Sequence, residues 1–473
     1  MKTYSVYLNG NLKVTEKTFP VRNPATGEAF ANMSEVSRAA VAQAVKDAHL
    51  AFAGWRHLPG KGRGELLGKI ADELNRRREE IARLITIENG KPLTQSQGEV
   101  SMSLDHLRWF AEEARRAYGR IIPHQVEEKR HLVLRTPIGI VGAISPWNFP
   151  LLLAVRKVAA ALAAGCPVIL KPSSLTPLCI STFAECVDTV GLPIGVFQMV
   201  AGPAAEIGQE FLENPLCRKI TFTGSTEVGK KLIEGAARQI KPLSLELGGH
   251  APVLVFDDAD LNNAIEGTLL AKFRNTGQSC IAANRIYVQR QIYEPFLKAL
   301  VDKTRALKVG NGLQPDVQIG PLIDEAAVGK ALEHVQDAVR GGARLLCGGN
   351  RIEGPGHFFE PTVLANVPKG ALCMYEETFA PVAPVCVFDN EAEGIELANQ
   401  SQYGLSAYAF TRDVGRVFRL AESLEAGMIG VNDGMPTATQ APFGGVKQSG
   451  WGRELATEGL EAFLDTKHIS LGL

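Results

Sequence analysis

At 473 residues the chain is too long for one compact core, so two or three domains are expected. Its 45% hydrophobic and 21% charged content excludes a disordered polymer, and a formal net charge of −1 gives no reason to expect nucleic acid or an anionic membrane as partner. Eight cysteines stand at 166, 179, 186, 217, 280, 347, 373 and 386 with no zinc-ligand spacing, which predicts no metal site and a reducing, cytoplasmic home.

The N-terminus lacks the apolar core of a secretory signal, and the most apolar run, Leu151 to Ala164, is broken by Arg156 and Lys157, so no membrane span is predicted. Tyr4, Val6 and Leu8 alternate before an Asn9-Gly10 turn, the pattern of a short hairpin. From Glu35 to about Tyr118 the spacing is helical, interrupted at Gly90-Lys91-Pro92. A strand-then-helix rhythm follows. Strands are predicted at Ile140–Ile144, Val168–Lys171, Val196–Val200 and Lys219–Phe222, with helices at Leu152–Ala164, Leu178–Val190, Ala204–Leu212 and Thr226–Gln239. That alternation predicts an α/β fold with a parallel sheet covered by helices. A second α/β set runs from Val253 to about Val431, and the tail Phe463–Leu473 has strand spacing.

Several stretches could carry chemistry. Cys280 follows a Gly-Gln-Ser turn between a helical run (Leu261 to Lys272) and a strand-like run (Arg285 to Gln289), either as a small buried hydrophobe or as a thiol aimed into a cleft. Gly224-Ser225-Thr226 lies between a strand and a helix; it is either a glycine turn with a helix cap or an anion site at a helix N-terminus. Lys171-Pro172-Ser173-Ser174 ends a strand at the edge where parallel sheets bind ligands. Pro146 and Pro150 bracket Trp147-Asn148-Phe149, where Asn148 is either a turn residue or a fixed amide donor for an oxyanion. Glu246 sits between leucines ahead of Gly248-Gly249, as a paired strand-end acid or as a partly desolvated general base. Glu377 could bind a ribose diol, and Phe379 could wall a nicotinamide.

In this order the motifs resemble the aldehyde dehydrogenase superfamily over nearly the whole chain, from Asn23-Pro24-Ala25-Thr26-Gly27 to Pro442–Gly450. The resemblance implies a Rossmann-like cofactor domain (1–117 and 138–248), an α/β catalytic domain (249–448) and a small β oligomerisation element (118–137 and 449–473). It further implies Cys280 as nucleophile, Asn148 as oxyanion donor and Glu246 as the base that activates water. Trp147, Lys171, Ser173, Ser174, Gly224, Ser225, Glu377 and Phe379 would bind NADP or NAD. A homodimer or homotetramer is implied as well.

Phe273–Gln278, Arg156-Lys157-Val158 and Pro442–Gly450 are similar to succinate-semialdehyde dehydrogenases. That likeness implies Arg156, Arg274 and Thr437 as the clamp for the far carboxylate of a small aldehyde, since guanidinium forks suit carboxylates. Glutarate semialdehyde, 2-oxoglutarate semialdehyde and sulfolactaldehyde would suit the same arginines, and a catalytically inactive binding protein is the rival from another class. Several members of that subfamily carry a second cysteine two positions after the nucleophile; here Ala282 stands there. Ser174 replaces the glutamate of strongly NAD-selective relatives, so NADP is expected to be accepted.

Overall fold

Helices form where apolar residues return every three or four positions, and four of them succeed one another at Arg38–Trp55, Gly60–Arg76, Arg78–Asn89 and Leu93–Glu113 in a computed structural model that describes residues 1–473. Their boundaries have local causes. The Ser37 side chain accepts from Ala40 N at the first start. Gly90, at φ 96°, ends the third in the left-handed conformation. The expected hairpin is present: Val6–Leu8 pairs antiparallel with Asn11–Lys13, and Asn9 and Gly10 both take positive φ.

The first large sheet has eight strands, and five consecutive ones are parallel: Leu243–Glu246, Cys217–Thr223, Ile140–Ile144, Val168–Lys171 and Phe197–Met199. From Ile140–Ile144 the chain first builds outward through Val168–Lys171 and Phe197–Met199. It then crosses to the other side for Cys217–Thr223 and Leu243–Glu246. The order therefore reverses between Ile140–Ile144 and Cys217–Thr223, which opens a crevice at their C-terminal ends. Two of the predicted motifs, Pro146–Pro150 and Gly224–Thr226, leave the sheet at that crevice. The apolar run expected to stay out of membranes is the helix Pro150–Ala164, with every residue buried, Arg156 and Lys157 included. No helix is long and apolar enough to cross a membrane.

The second large sheet, of seven strands, begins with Ala251–Val255, which pairs in parallel with Ala283–Gln289 on one side and Ser406–Phe410 on the other. Its alternating residues feed two separate cores: Val253 and Val255 pack on one face, Leu254 on the other. Glu246 thus ends the last parallel strand of the first sheet, and Gly248-Gly249 carry the chain directly into the second. A third sheet joins Leu464–Gly472 to Lys129–Pro137 over a nine-residue register and adds Arg120–Ile122. Gly450–Trp451, by contrast, pairs with Leu243–Glu246 in the first sheet.

A buried ion pair fixes the start of the Pro150–Ala164 helix. Glu99 Oε1 accepts from Leu151 N (3.0 Å) and Leu152 N (3.2 Å), donors that a helix start leaves unpaired. Lys91 Nζ donates to Glu99 Oε2 at 2.6 Å and to Asn148 O at 2.7 Å, and both charged side chains are 0% exposed. Removing one member leaves the other charged and dry. Lys91→Met is therefore expected to cost about 3–5 kcal/mol of unfolding free energy in a urea titration. A loss under about 1 kcal/mol would mean that the pair does not anchor the helix.

Candidate active site

Between the helix Leu261–Phe273 and the strand Ala283–Gln289 the backbone makes a tight left-handed turn. Asn275, Thr276 and Gly277 have φ of 50°, 58° and 76°. That region is sterically costly for the two that carry a Cβ, most of all for β-branched Thr276, and free for Gly277. Hydrogen bonds hold them there. Asn275 N donates to Gln95 Oε1 (2.8 Å), Gly320 N donates to Thr276 Oγ1 (3.0 Å), and Ile323 N donates to Gln278 Oε1 (2.9 Å). At Gly277 a Cβ would stand 2.3 Å from Ala380 O, so no larger residue fits. The turn delivers Cys280 half-buried, as Cys347 and Cys386 are, whereas Cys166, Cys179, Cys186, Cys217 and Cys373 are buried.

Asn148 meets this turn from the first sheet. Its carbonyl oxygen accepts from Lys91 Nζ and from Asn275 Nδ2 (2.8 Å), and Asn89 Nδ2 donates to Trp147 O at 3.0 Å. Its side-chain Nδ2 donates to Gln278 O at 3.2 Å, which leaves the amide's second N–H uncommitted beside the Cys280 loop. Glu246 arrives by the Gly248-Gly249 link. A Cβ on Gly249 would lie 2.1 Å from Cys280 O, so this glycine is what lets the two segments approach.

The electrostatics favour neutral groups at rest. Burial, then Glu377 and Glu246, push the Cys280 thiol up to about 12. Burial, then Glu454, hold the Glu246 carboxyl well above its ordinary value, and its Oε2 has no hydrogen-bond partner. Glu454 itself is gripped by Lys157 and lies 3.4 Å from Arg156 Nη1.

Two cavities meet at Cys280. One, of about 320 Å³, is lined among others by Phe149, Arg156, Arg274, Thr437 and Phe443. The other, of about 210 Å³, is lined by Trp147, Asn148, Gly224, Ser225, Glu377 and Phe379. Cys280 is the residue they share. All three residues expected to clamp substrate thus fall on one side, and five of the eight expected to hold cofactor on the other. Trp147 and Phe379 meet edge to face at 5.5 Å between ring centroids. Glu377 Oε1 accepts from Gly249 N at 3.0 Å, and burial pushes its carboxyl up to about 7.

Lys171, Ser173 and Ser174 lie outside the lining of that second cavity. Lys171 is buried without an ion pair, and burial alone lowers its ammonium to about 8. Ser173 Oγ accepts from Leu175 N (3.2 Å), while Ser174 is exposed. Ser225 Oγ caps its helix by accepting from Val228 N, so the helix-cap reading of that serine holds as well. These features fit a dinucleotide. An orphaned Thr223 Oγ1 and the N-terminus of the helix Thr226–Ala237 border a cleft that is also lined by Gly224 and Gly248, which bring no side chain into it.

Sequence reasoning missed the substrate-side contribution of the helix Leu93–Glu113. Met102, Asp105 and His106 line the 320 Å³ cavity at i, i+3 and i+4, a spacing that marks one helix face and was the available signal. It also missed the Lys157–Glu454 pair. His250, next to the Gly248-Gly249 pair, lies with Nε2 3.1 Å from Cys373 O and lines neither cavity.

Comparison with known proteins fits this geometry. Residues 12–469 match the model of the Aldehyde dehydrogenase family. The chain is 47% identical to the glutarate-semialdehyde dehydrogenase of Pseudomonas aeruginosa over 96% of this chain and 94% of that one. It is 48% identical, with the same coverage, to the 3-sulfolactaldehyde dehydrogenase of Pseudomonas putida. With the NADP(+) succinate-semialdehyde dehydrogenase of Escherichia coli K12 it shares 46% identity over 96% and 94% of the two chains. The crystal structure of an E. coli NADP-dependent enzyme superposes with a TM-score of 0.98 at 45% identity, covering 100% and 98% of the two chains. The chain belongs to the aldehyde dehydrogenase family.

Proposed function

We propose that this enzyme oxidises a small aldehyde with an acid group at its far end, succinate semialdehyde foremost, to the carboxylic acid. One observation carries the reading. Arg274 projects into the cavity beside Cys280 with no carboxylate partner; its Nη1 and Nη2 meet only Met435 Sδ (3.2 Å) and Met102 Sδ (3.9 Å), and its guanidinium lies 4.9 Å from the Phe149 ring centre. A cation left unpaired inside a cavity invites an anion. Arg156 and Thr437 complete the clamp. Relatives of nearly equal identity act on three different acidic aldehydes, so overall likeness does not choose among them.

In the mechanism we propose, Cys280 gives up its thiol proton to solvent, Sγ attacks the aldehyde carbon as a thiolate, and the Asn148 amide and Cys280 N–H take the resulting oxyanion. Trp147, Gly224, Ser225, Glu377 and Phe379 would hold NAD or NADP, which would supply the hydride acceptor and a positive charge. The thioester on Cys280 is then hydrolysed. Glu246 takes the proton of the attacking water, and the acid leaves as the thiol is restored. A carboxyl raised by burial and by Glu454 is suited to that proton transfer near neutral pH. We assign the cofactor-binding, catalytic and oligomerisation units as the sequence divides them, except that Gly450–Trp451 goes with the cofactor-binding sheet it pairs into. The long edge strand Leu464–Gly472 and exposed Ile121 favour a homodimer or homotetramer, and eight free cysteines favour a cytoplasmic home.

Cys280→Ala is expected to abolish NAD(P)H formation. Glu246→Gln should still give a rapid burst of reduced cofactor, followed by turnover lowered about a hundredfold or more. Normal steady-state rates in either variant would remove the assigned role. Arg274→Ala and Arg156→Ala should raise KM for anionic aldehydes at least tenfold more than for neutral ones of equal length. Equal effects on the two substrate types would dispose of the clamp.

For the cofactor, the absence of an acid at Ser174 and the unpaired Lys171 favour acceptance of a 2′-phosphate. Lys171 is charged below about 8 and neutral above it, so the kcat/KM ratio of NADP to NAD should fall severalfold from pH 7 to pH 9. A preference of more than about a hundredfold for NAD at pH 7 would overturn this assignment.

A further inference from the structure

Apart from the two cavities at Cys280, a groove of about 450 Å³ lies where the start of the helix Gly60–Arg76 meets the base of the third sheet. Of the 11 residues that line it, Arg56, Lys61, Arg63, Arg115 and Arg135 are cations and none is an acid, in a chain whose formal net charge is −1. Like charges so gathered repel one another, and an anion in the groove would remove that cost. Two of the five are already engaged: Arg135 lies 3.3 Å from Glu461, and Lys61 lies 3.8 Å from Glu65. Arg56, Arg63 and Arg115 pair with no carboxylate; the Arg56 guanidinium only lies over the Phe52 ring, 5.0 Å from its centre.

Arg63 distinguishes this groove from an ordinary basic surface. It is 8% exposed, its Nε donates to Ala163 O at 2.9 Å, and its Nη1 donates to Leu58 O. Its Nη2 donates to nothing and is not sealed from solvent, so those N–H bonds remain free for a ligand in the groove. Burial holds this guanidinium below its ordinary value with no carboxylate to offset it, and an arginine stays charged at neutral pH regardless. The backbone adds donors. Pro59 precedes the helix, no side chain caps it, and its first turn holds no acid. The amides of Gly60, Lys61 and Gly62 are thus left without partners at the positive end of a 17-residue helix, and Gly60 and Lys61 line the groove.

We propose that this groove binds a small anion carrying a diphosphate, held by Arg56, Arg63 and Arg115 and by the first-turn amides of the helix Gly60–Arg76. Guanidinium forks match phosphate oxygens two at a time, and an uncapped helix start takes phosphate through its free N–H groups. Three uncommitted guanidinium charges suit a diphosphate better than a single carboxylate, which one of them would satisfy. The bound anion would join Arg63 of the first helical region to the base of the strand Lys129–Pro137, where Arg135 and Pro137 form the opposite wall.

The test titrates pyrophosphate into the full-length enzyme by calorimetry. Saturable binding is expected that weakens as salt is raised and falls at least tenfold when Arg56→Glu and Arg115→Glu are combined. Neither residue takes part in the mechanism, so the double variant should keep wild-type kcat and KM for NADP, which also shows that it is folded. Any pyrophosphate held in the cofactor cleft is displaced by NADP and untouched by the double variant, so the variant reports the groove alone. Arg63→Lys keeps the charge and loses the fork, and it should bind at least threefold more weakly; if it does not fold, the surface pair still decides. ADP binding as tightly as pyrophosphate would make a nucleotide the source of the diphosphate, and weaker ADP binding would make it the free ion. Citrate binding as tightly as pyrophosphate would overturn the assignment to phosphate. No saturable binding, or binding unchanged in the double variant, would overturn the site itself.

Discussion

The carbonyl oxygen of Asn148 is the point through which this site is assembled. It accepts from Lys91 of the helical region and from the Asn275 side chain of the turn before Cys280. One oxygen with two lone pairs thus binds a helix-start loop of the first sheet to a turn that leads into the second. The Lys91 that reaches it is fixed by Glu99, which in turn satisfies the amides of Leu151 and Leu152. The relation of the Asn148 amide to the Cys280 loop is therefore set by buried, charge-assisted bonds rather than by loop packing. The left-handed run Asn275–Gly277 persists because this network over-determines it.

Burial then governs what the assembled groups can do. Burial first, and then the acids Glu377 and Glu246, hold the Cys280 thiol protonated at rest. Only Arg156 opposes them among the neighbouring charges. A thiol so placed is inert until something positive enters the adjoining cleft, which suits an enzyme that should not react before its cofactor is present. The same crowding keeps Glu246 high, because Glu454 lies near it while sharing Lys157 and Arg156.

Much of this was legible in the chain, for physical reasons that differ by residue. The parallel strands and their helices announce themselves through period and turn chemistry, so Ile140–Ile144, Val168–Lys171 and the helix Leu178–Val190 match their expected bounds. Gly-rich and Pro-bracketed loops at strand ends mark Asn148, Gly224 and Glu246, since local sequence must create such geometry. Arg156 and Arg274 emerged from the resemblance, and both line the 320 Å³ cavity beside Cys280. What stayed hidden depends on long-range closure. His106 belongs to a helix that reads simply as amphipathic, and nothing local says that its face is turned toward a residue 174 positions away, at Cys280. The Lys157–Glu454 pair spans nearly 300 residues, |i−j| = 297, and is equally invisible to spacing.

Those hidden residues bear on specificity rather than on the reaction. The residues proposed for the chemistry sit on strand ends and tight turns, where sequence is constrained by backbone geometry. The far wall of the substrate cavity comes instead from one face of the helix Leu93–Glu113 and from the segment Met435–Gln440, where Met102, Asp105, His106 and Thr437 can change without disturbing the turn at Cys280. Relatives almost equally similar over the whole chain can therefore act on different acidic aldehydes. Substrate choice in this protein is better read from the side chains of that one wall than from overall identity. Arg274, at the turn before Cys280, supplies the uncommitted charge that this wall faces across the cavity.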